Sequence, residues 1–183
     1  MNRKLIGALA AGALGVAAYA GVAVSTGVAQ ATPSAGITNP TWSPVIGHFP
    51  NGIDTRAMTD VDPGPAVSLW KVSLLAKGAT DVQVIENIVA PGGTFGWHGH
   101  PGPSLIIVKS GTLSVYHPDD CTHAELYGPG QALGSTLVDQ GNDVHLVRNE
   151  TAGVDDVYVV SFLPAGATRR IDKPNPDRNV CPQ

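Results

Sequence analysis

The chain predicts an all-β domain closed into a sandwich or jelly roll, on three observations. Short strand-like runs follow one another at regular spacing from Val67 to Leu163. Glycine- and proline-rich turns separate them, and no segment carries a convincing helical period. Charged residues make up only 14% of the chain, against 22 glycines and 15 prolines. That balance suits many turns better than a helical bundle. Closure into a barrel-like sandwich limits exposed strand edges.

The first element is read as lying outside the fold. Arg3 and Lys4 precede an apolar run from Leu5 to Val24, and Ala29-Gln30-Ala31 supplies a small-x-small cleavage site. The pattern predicts a signal peptide over residues 1–31 and an exported protein. An uncleaved membrane anchor is the alternative, because the run is nearly long enough to span. Of the 183 residues, cleavage after Ala31 leaves 152, ample for one domain with its own core. Loss of Arg3 and Lys4 moves the formal charge from −4 to −6. A mildly acidic domain without a Lys/Arg cluster argues against nucleic acid or anionic membrane as a partner. No stable membrane anchor is expected once the signal is removed.

Residues 32–66 form the second element. Six prolines lie between positions 32 and 65, and no periodicity is sustained, so an extended arm is expected, with a short strand near Val45-Ile46. The eight candidate strands follow: Val67–Leu75, Val82–Val89, Ser104–Lys109, Thr112–His117, Ala124–Tyr127, Ser135–Val138, Val144–Arg148 and Asp156–Leu163. Turns are expected at Gly78, Pro91-Gly92-Gly93, Ser110-Gly111, Pro118-Asp119, Gly128-Pro129-Gly130 and Gly141-Asn142. The barrel domain is bounded at 67–165, and residues 166–183 form a Pro-rich tail.

Cys121 and Cys181 are the only cysteines. In an exported chain they read as one disulfide pinning the tail to the body, with two free thiols as the alternative. Closing a loop of that length is worth about 4 kcal/mol in the chain-entropy account.

The chemistry-bearing residues are three histidines. His98 and His100 stand one residue apart, and His145 follows in Val144-His-Leu-Val-Arg-Asn149. On an extended strand an H-x-H pair places both imidazoles on one face. A third imidazole from a partner strand would complete a three-nitrogen metal site with open positions. Structural histidines at a barrel mouth are the plainer alternative. His48, His117 and His123 lack paired spacing and read as surface or turn residues. No G-x-S-x-G elbow, phosphate-cradling G-x4-G-K loop or C-x2-C pair is present. Glu86, Glu125 and Glu150 are scattered and suggest no acid/base pair.

These residues resemble the two motifs of the cupin family. The first, G-x5-H-x-H-x3-E-x6-G, is matched in every spacing by Gly92, His98, His100, Ser104 and Gly111, with Ser104 in place of the glutamate. The second, G-x5-P-x-G-x2-H-x3-N, is matched by Gly134, Gln140, Asn142, His145 and Asn149; the proline and second glycine are replaced. Twenty-two residues separate the motifs, and the resemblance covers roughly Val67 to Ala165. The chain is also similar to small exported bacterial cupins, which share the W-H-x-H-P-G-P loop and a late Asn-x-Cys-Pro.

The resemblance implies a single cupin jelly-roll β-barrel with a metal site inside. It implies His98, His100 and His145 as ligands of a divalent transition metal: iron, manganese, zinc, copper or nickel. Ser104 then stands at the carboxylate position, leaving three neutral imidazoles and no protein anion. Some thiol dioxygenases of the superfamily hold iron on three histidines, whereas the glutamate-dependent oxalate and quercetin chemistries are put in doubt. Strand parity puts Ile106 and Val108 on the face of Ser104, and Val147 on that of His145, as apolar pocket lining. Trp97 is expected at the pocket wall, with packing at the barrel rim as the alternative. Asn149 is expected to satisfy backbone groups at a strand end, which makes its Asn-Glu-Thr sequon a poor glycan site.

Three functions remain open at this level. One is a metal-dependent enzyme on a small molecule, an oxygenase or a related lyase or isomerase. The second is a non-catalytic module that binds a metal or small ligand. The third is a structural barrel with a vestigial site. A small-molecule ligand or substrate is the expected partner, and a homodimer stays open.

Overall fold

The computed structural model describes residues 31–61 and 68–183; the expected signal peptide lies outside them apart from Ala31. Among the described residues there are twelve strands and no helix, so none is long and apolar enough to cross a membrane. The strands are β1 (Ala35–Thr38), β2 (Val45–Phe49), β3 (Ile53–Val61), β4 (Ser68–Ala76), β5 (Thr80–Gly99) and β6 (Ser104–Ser110). They continue as β7 (Leu113–His117), β8 (Asp120–Tyr127), β9 (Thr136–Asp139), β10 (His145–Asn149), β11 (Asp155–Pro164) and β12 (Ile171–Asp172).

β5 organises the molecule. It runs for 20 residues, far beyond the usual five or six. The turn expected at Pro91-Gly92-Gly93 is a bend inside this strand. Gly92 (φ 73°) and Gly96 (φ 66°) take left-handed conformations, and the registers against β1 and β10 shift at the same stretch. Glycine there lets the strand turn its face without ending, as at a β-bulge. The first half of β5 pairs with β11 and β2, and the second half with β10 and β12. One strand thus feeds both walls, and the order β8-β7-β10-β5-β11-β6-β9 wraps into a barrel-like sheet. This is the architecture of a cupin jelly roll.

The arm is more ordered than its prolines suggest. β1 and β2 both pair with β5. Pro33, Pro40, Pro44 and Pro50 flank these short strands instead of interrupting them, so no ladder donor is lost. Between the two strands Asn39 Nδ2 donates to the Glu86 carbonyl (2.7 Å) and Asn87 Oδ1 (3.0 Å). β4, expected as the first barrel strand, pairs with β3 in a separate two-stranded sheet.

Period-two alternation sets the core. In β11 burial alternates residue by residue, with Asp155, Val157, Val159, Ser161 and Leu163 all buried. Ile85, Val108, Leu113, Val157 and Val159 form the apolar cluster inside the barrel. A second cluster of Trp97, Tyr116, Leu146, Cys121 and Cys181 lies on the other face of β5 and β10. The Cys121–Cys181 disulfide is formed and ties the tail over this layer. The Trp97 indole N–H donates to the Pro182 carbonyl (2.9 Å), and Asn175 Nδ2 donates to Cys181 O and Pro182 O.

The motif glycines have conformational reasons. Gly111 has φ 87°, and a Cβ there would lie 1.9 Å from Asp155 Oδ1. That carboxylate oxygen accepts the Thr112 N–H at 2.9 Å, so the turn leaves no room for a side chain. Asn142, where the family pattern has glycine, is the one non-glycine residue at positive φ (60°) among those described. Asparagine tolerates this region better than other substituents, so the turn keeps its geometry without its glycine. Asn149 is fully buried and acts as expected: its Nδ2 donates to Val89 O (3.0 Å) and Gly153 O (2.7 Å), and its Oδ1 accepts the Thr151 N–H (2.9 Å).

Candidate metal centre

β5 and β10 bring the three histidines together. His145 is the direct antiparallel partner of His98, and His100 follows two residues later on the same face, just past the end of β5. The nitrogens they offer all lie within 4.8 Å of one another. All three are buried, with 3%, 4% and 7% exposure for His98, His100 and His145. Asn142 N–H donates to the His100 carbonyl (2.7 Å) and holds the end of the motif in place.

Hydrogen bonds fix two of the tautomers. His98 Nδ1 lies 2.8 Å from the Gly96 carbonyl, and His100 Nδ1 lies 2.7 Å from the Arg169 carbonyl. A carbonyl only accepts, so each Nδ1 is the protonated donor. Each Nε2 therefore carries a free lone pair. A carbonyl on the far ring nitrogen is the usual support of a metal-ligating histidine. Burial is the main force lowering the affinity of these rings for protons. It takes His98 to about 2, helped by the neighbouring His145, and His145 to about 4. His100 is lowered too, again chiefly by burial. Three buried imidazoles with lowered proton affinity, two of them with directed lone pairs, fit a divalent transition ion.

The cavity beside them has a volume of about 150 Å³. Ser104, Ile106 and Val147 line it, as strand parity predicts. Ser104 Oγ shares a hydrogen bond with Ser161 Oγ (2.8 Å), its partner across the β6–β11 ladder. Two expected lining residues fall elsewhere. Val108 is 1% exposed and packs into the apolar cluster inside the barrel, one step deeper than Ile106 on the same face. Trp97 sits between inward residues of β5, so the pleat sends its ring to the opposite face, against Leu146 and the disulfide.

Several lining residues carried no sequence signal. His117, read as a surface histidine, stands at the end of β7 and lines the cavity, with Nε2 3.7 Å from Glu125 Oε2. His48 and His123 remain at the surface, beside Asp81 and Asp120. Arg169 brings a guanidinium to the wall, and its carbonyl is the one that orients His100. Asp139 is the direct partner of Ser104 across the β6–β9 ladder. It is 9% exposed; its Oδ1 accepts the Gly141 N–H (2.9 Å), and its Oδ2 has no hydrogen-bond partner. That Oδ2 lies 3.6 Å from His100 Nε2. The expected strand Ser135–Val138 stops one residue short of Asp139, and the motif leaves the position unspecified.

No family model matches the sequence, and no curated protein matches it. Solved structures overlap with parts of it. A cupin-like protein from Thermotoga maritima shares 18% identity over 54% of this chain and 68% of its own, with a TM-score of 0.42. The polyketide cyclase RemF from Streptomyces resistomycificus shares 21% identity over 52% of this chain and 64% of its own, at 0.41. A cupin domain from Bordetella pertussis shares 18% identity over 62% of this chain and 94% of its own, at 0.37. At these scores the overlaps carry no argument about activity, and the fold rests on the chain's own strand pairing.

Proposed function

We propose that this jelly-roll protein is a cupin that holds a divalent transition metal on His98, His100 and His145 and acts on a small molecule in the adjoining cavity. The observation that carries the reading is the pair of Nδ1–H···O=C bonds, from His98 to Gly96 and from His100 to Arg169, which leaves both Nε2 lone pairs free within one buried cluster. Such an ion supplies Lewis acidity and open positions for substrate together with dioxygen or water. The chain's own groups suggest the kind of molecule. Ile106, Leu113, Val115, Val147 and Val157 offer an apolar wall, and Arg169 offers one cation. A cavity of about 150 Å³ matches a single ring or a short chain; an engineered apolar cavity of about that volume takes benzene. Glu125, Asp139 and Asp143 line the same cavity, so the ligand class is a small, partly apolar molecule with a polar group that meets the ion or Arg169. The disulfide supports function outside the cytoplasm, after removal of residues 1–31.

The test is elemental analysis of protein purified from the exported fraction, followed by reloading of the stripped protein with iron, manganese, zinc, copper or nickel. About one equivalent of one of these metals, lost in His100→Ala while circular dichroism is unchanged, supports the reading. Protein that neither carries nor takes up metal would make the barrel a structural or metal-free binding module. Turnover of small organic acids by the loaded protein separates an enzyme from a metal-binding module.

A further inference from the structure

The serine at the family's carboxylate position leaves three neutral ligands, yet a buried carboxylate lies across the ladder from it. We propose that Asp139 supplies the anionic fourth ligand of this centre, moved from β6 to the facing position on β9; the inference rests on the three-histidine reading above.

Three observations carry it. First, Ser104 and Asp139 are paired residues of adjacent antiparallel strands, so both side chains lie on one face with Cβ atoms about 5 Å apart. A carboxylate lost from one strand is replaced from its neighbour without any change of fold. Both residues line the cavity that adjoins the histidines.

Second, Asp139 is held as a ligand would be. Its Oδ1 is fixed by the Gly141 N–H, while its Oδ2 is buried without a partner. A buried carboxylate oxygen with nothing to accept from is costly. Asp139 is therefore oriented by one oxygen and free to ligate with the other.

Third, what Asp139 Oδ2 faces is a second lone pair. His100 Nδ1 donates to the Arg169 carbonyl, so His100 Nε2 is an acceptor, 3.6 Å from Asp139 Oδ2. Two buried acceptors facing each other favour a cation between them. Two donors each about 2.1 Å from one ion, the usual zinc–nitrogen and zinc–oxygen distance, can stand this far apart. The group within 4.8 Å holds the three histidines alone, so the Asp139 carboxylate has to turn toward His98 and His145 when an ion binds.

The set becomes three imidazoles and one carboxylate, and it lowers the charge of a bound divalent ion by one. With Arg169 on the same wall, the loaded site would still present positive charge to a small-molecule anion.

The experiment compares wild type, Asp139→Asn, Ser104→Glu, Ser104→Glu/Asp139→Asn and His100→Ala. Each is stripped and titrated with zinc against a chromogenic chelator, then loaded with cobalt for its visible absorption spectrum. Asparagine keeps an oxygen for the Gly141 N–H, so the loop is retained; circular dichroism and the intact disulfide check this. The expected result is a loss of at least about tenfold in zinc affinity in Asp139→Asn, a changed cobalt spectrum, and recovery of affinity in the double variant. Should Asp139→Asn misfold, the single variant Ser104→Glu decides: zinc affinity within a few-fold of wild type supports a carboxylate already in place, and a gain of more than about tenfold overturns it. Wild-type affinity and an unchanged cobalt spectrum in Asp139→Asn also overturn it, leaving the three-histidine site standing. Failure of wild type itself to bind zinc or cobalt would instead sink the metal reading on which the inference rests.

Discussion

His145 stands directly opposite His98 across the β10–β5 ladder, with ring centroids 4.5 Å apart. The next pair along, Leu146 and Trp97, points to the other face and is completely buried. One ladder therefore builds the candidate metal centre on one side and a packed apolar layer on the other. Changes to one face should leave the other in place.

That separation predicts the behaviour of His145→Ala. Metal affinity should fall by more than about 100-fold, beyond the loss that follows removal of an outer-shell partner. The protein should still fold, because the backbone pairing of β10 with β5 and β7 does not depend on the imidazole. Chelator competition and near-ultraviolet circular dichroism measure the two effects. Unchanged affinity would remove His145 from the ligand set.

Stability of the metal-free protein should depend on pH through the same rings. His98 and His145 are pushed down to about 2 and about 4, chiefly by burial, from an ordinary value near 6.5. Below 6.5 the unfolded chain takes up protons that the folded chain refuses, so acid favours unfolding. The melting temperature in chelator should be flat above about pH 7 and fall steadily from about pH 6.5 toward 4. Bound metal should blunt the fall until protons displace it. A melting temperature that rises on acidification would mean that the cluster holds a proton when folded.

Gly111→Ala should be strongly destabilising. The residue sits at φ 87°, and the added Cβ would lie 1.9 Å from Asp155 Oδ1 and 2.8 Å from Asp155 Cα. Strained φ and a displaced buried carboxylate together should cost at least about 2 kcal/mol. Urea unfolding measures the loss. Neither Gly111 nor Asp155 lines the cavity beside the histidines, so metal stoichiometry of the folded fraction should stay at wild-type level. A loss under about 0.5 kcal/mol would show that the turn can repack.

Cutting the disulfide should loosen the tail before the barrel. In Cys181→Ser the loop closed across a sequence separation of 60 residues is lost, worth up to about 4 kcal/mol. Trp97 is 0% exposed and hydrogen-bonded to Pro182, so its emission reports the tail directly. In a background lacking Trp42 and Trp70, the variant should show red-shifted emission and faster amide exchange over residues 171–183. Unchanged emission would mean that Asn175 and β12 hold the tail without the covalent bond.

Most of this architecture was legible because local rules and tertiary pairing agree. Short apolar runs bounded by turn residues marked β11 and β6, and the spacing of His98, His100 and His145 marked the cluster, because strand parity follows directly from sequence. Legibility failed where geometry depends on a partner. Pro91-Gly92-Gly93 reads as a turn, yet pairing with β1 and β10 carries the strand through it as a bend. Apart from the strand expected near Val45-Ile46, residues 35–49 look unstructured because their strands are short and supported by the edges of β5. Trp97 obeys the parity that placed its neighbours, so its outward face was deducible from the H-x-H pair itself. Asp139 and Arg169 were invisible: each reaches the cavity through a cross-strand or loop contact distant in sequence, and neither belongs to a patterned motif.

The central position of β5 also bears on how such a chain can diverge. Strands β1, β2, β10, β11 and β12 all take their register from it. A one-residue insertion or deletion between Val82 and Val89 would exchange inner and outer faces along one wall. The same change between Trp97 and His100 would move an imidazole out of the cluster and drive a polar ring into the apolar layer. Length variation among descendants of this chain should therefore collect in connections such as 128–135 and 150–154, while β5 keeps its residue count. Scanning single-residue insertions through the gene and selecting for secreted, protease-resistant protein would map that asymmetry.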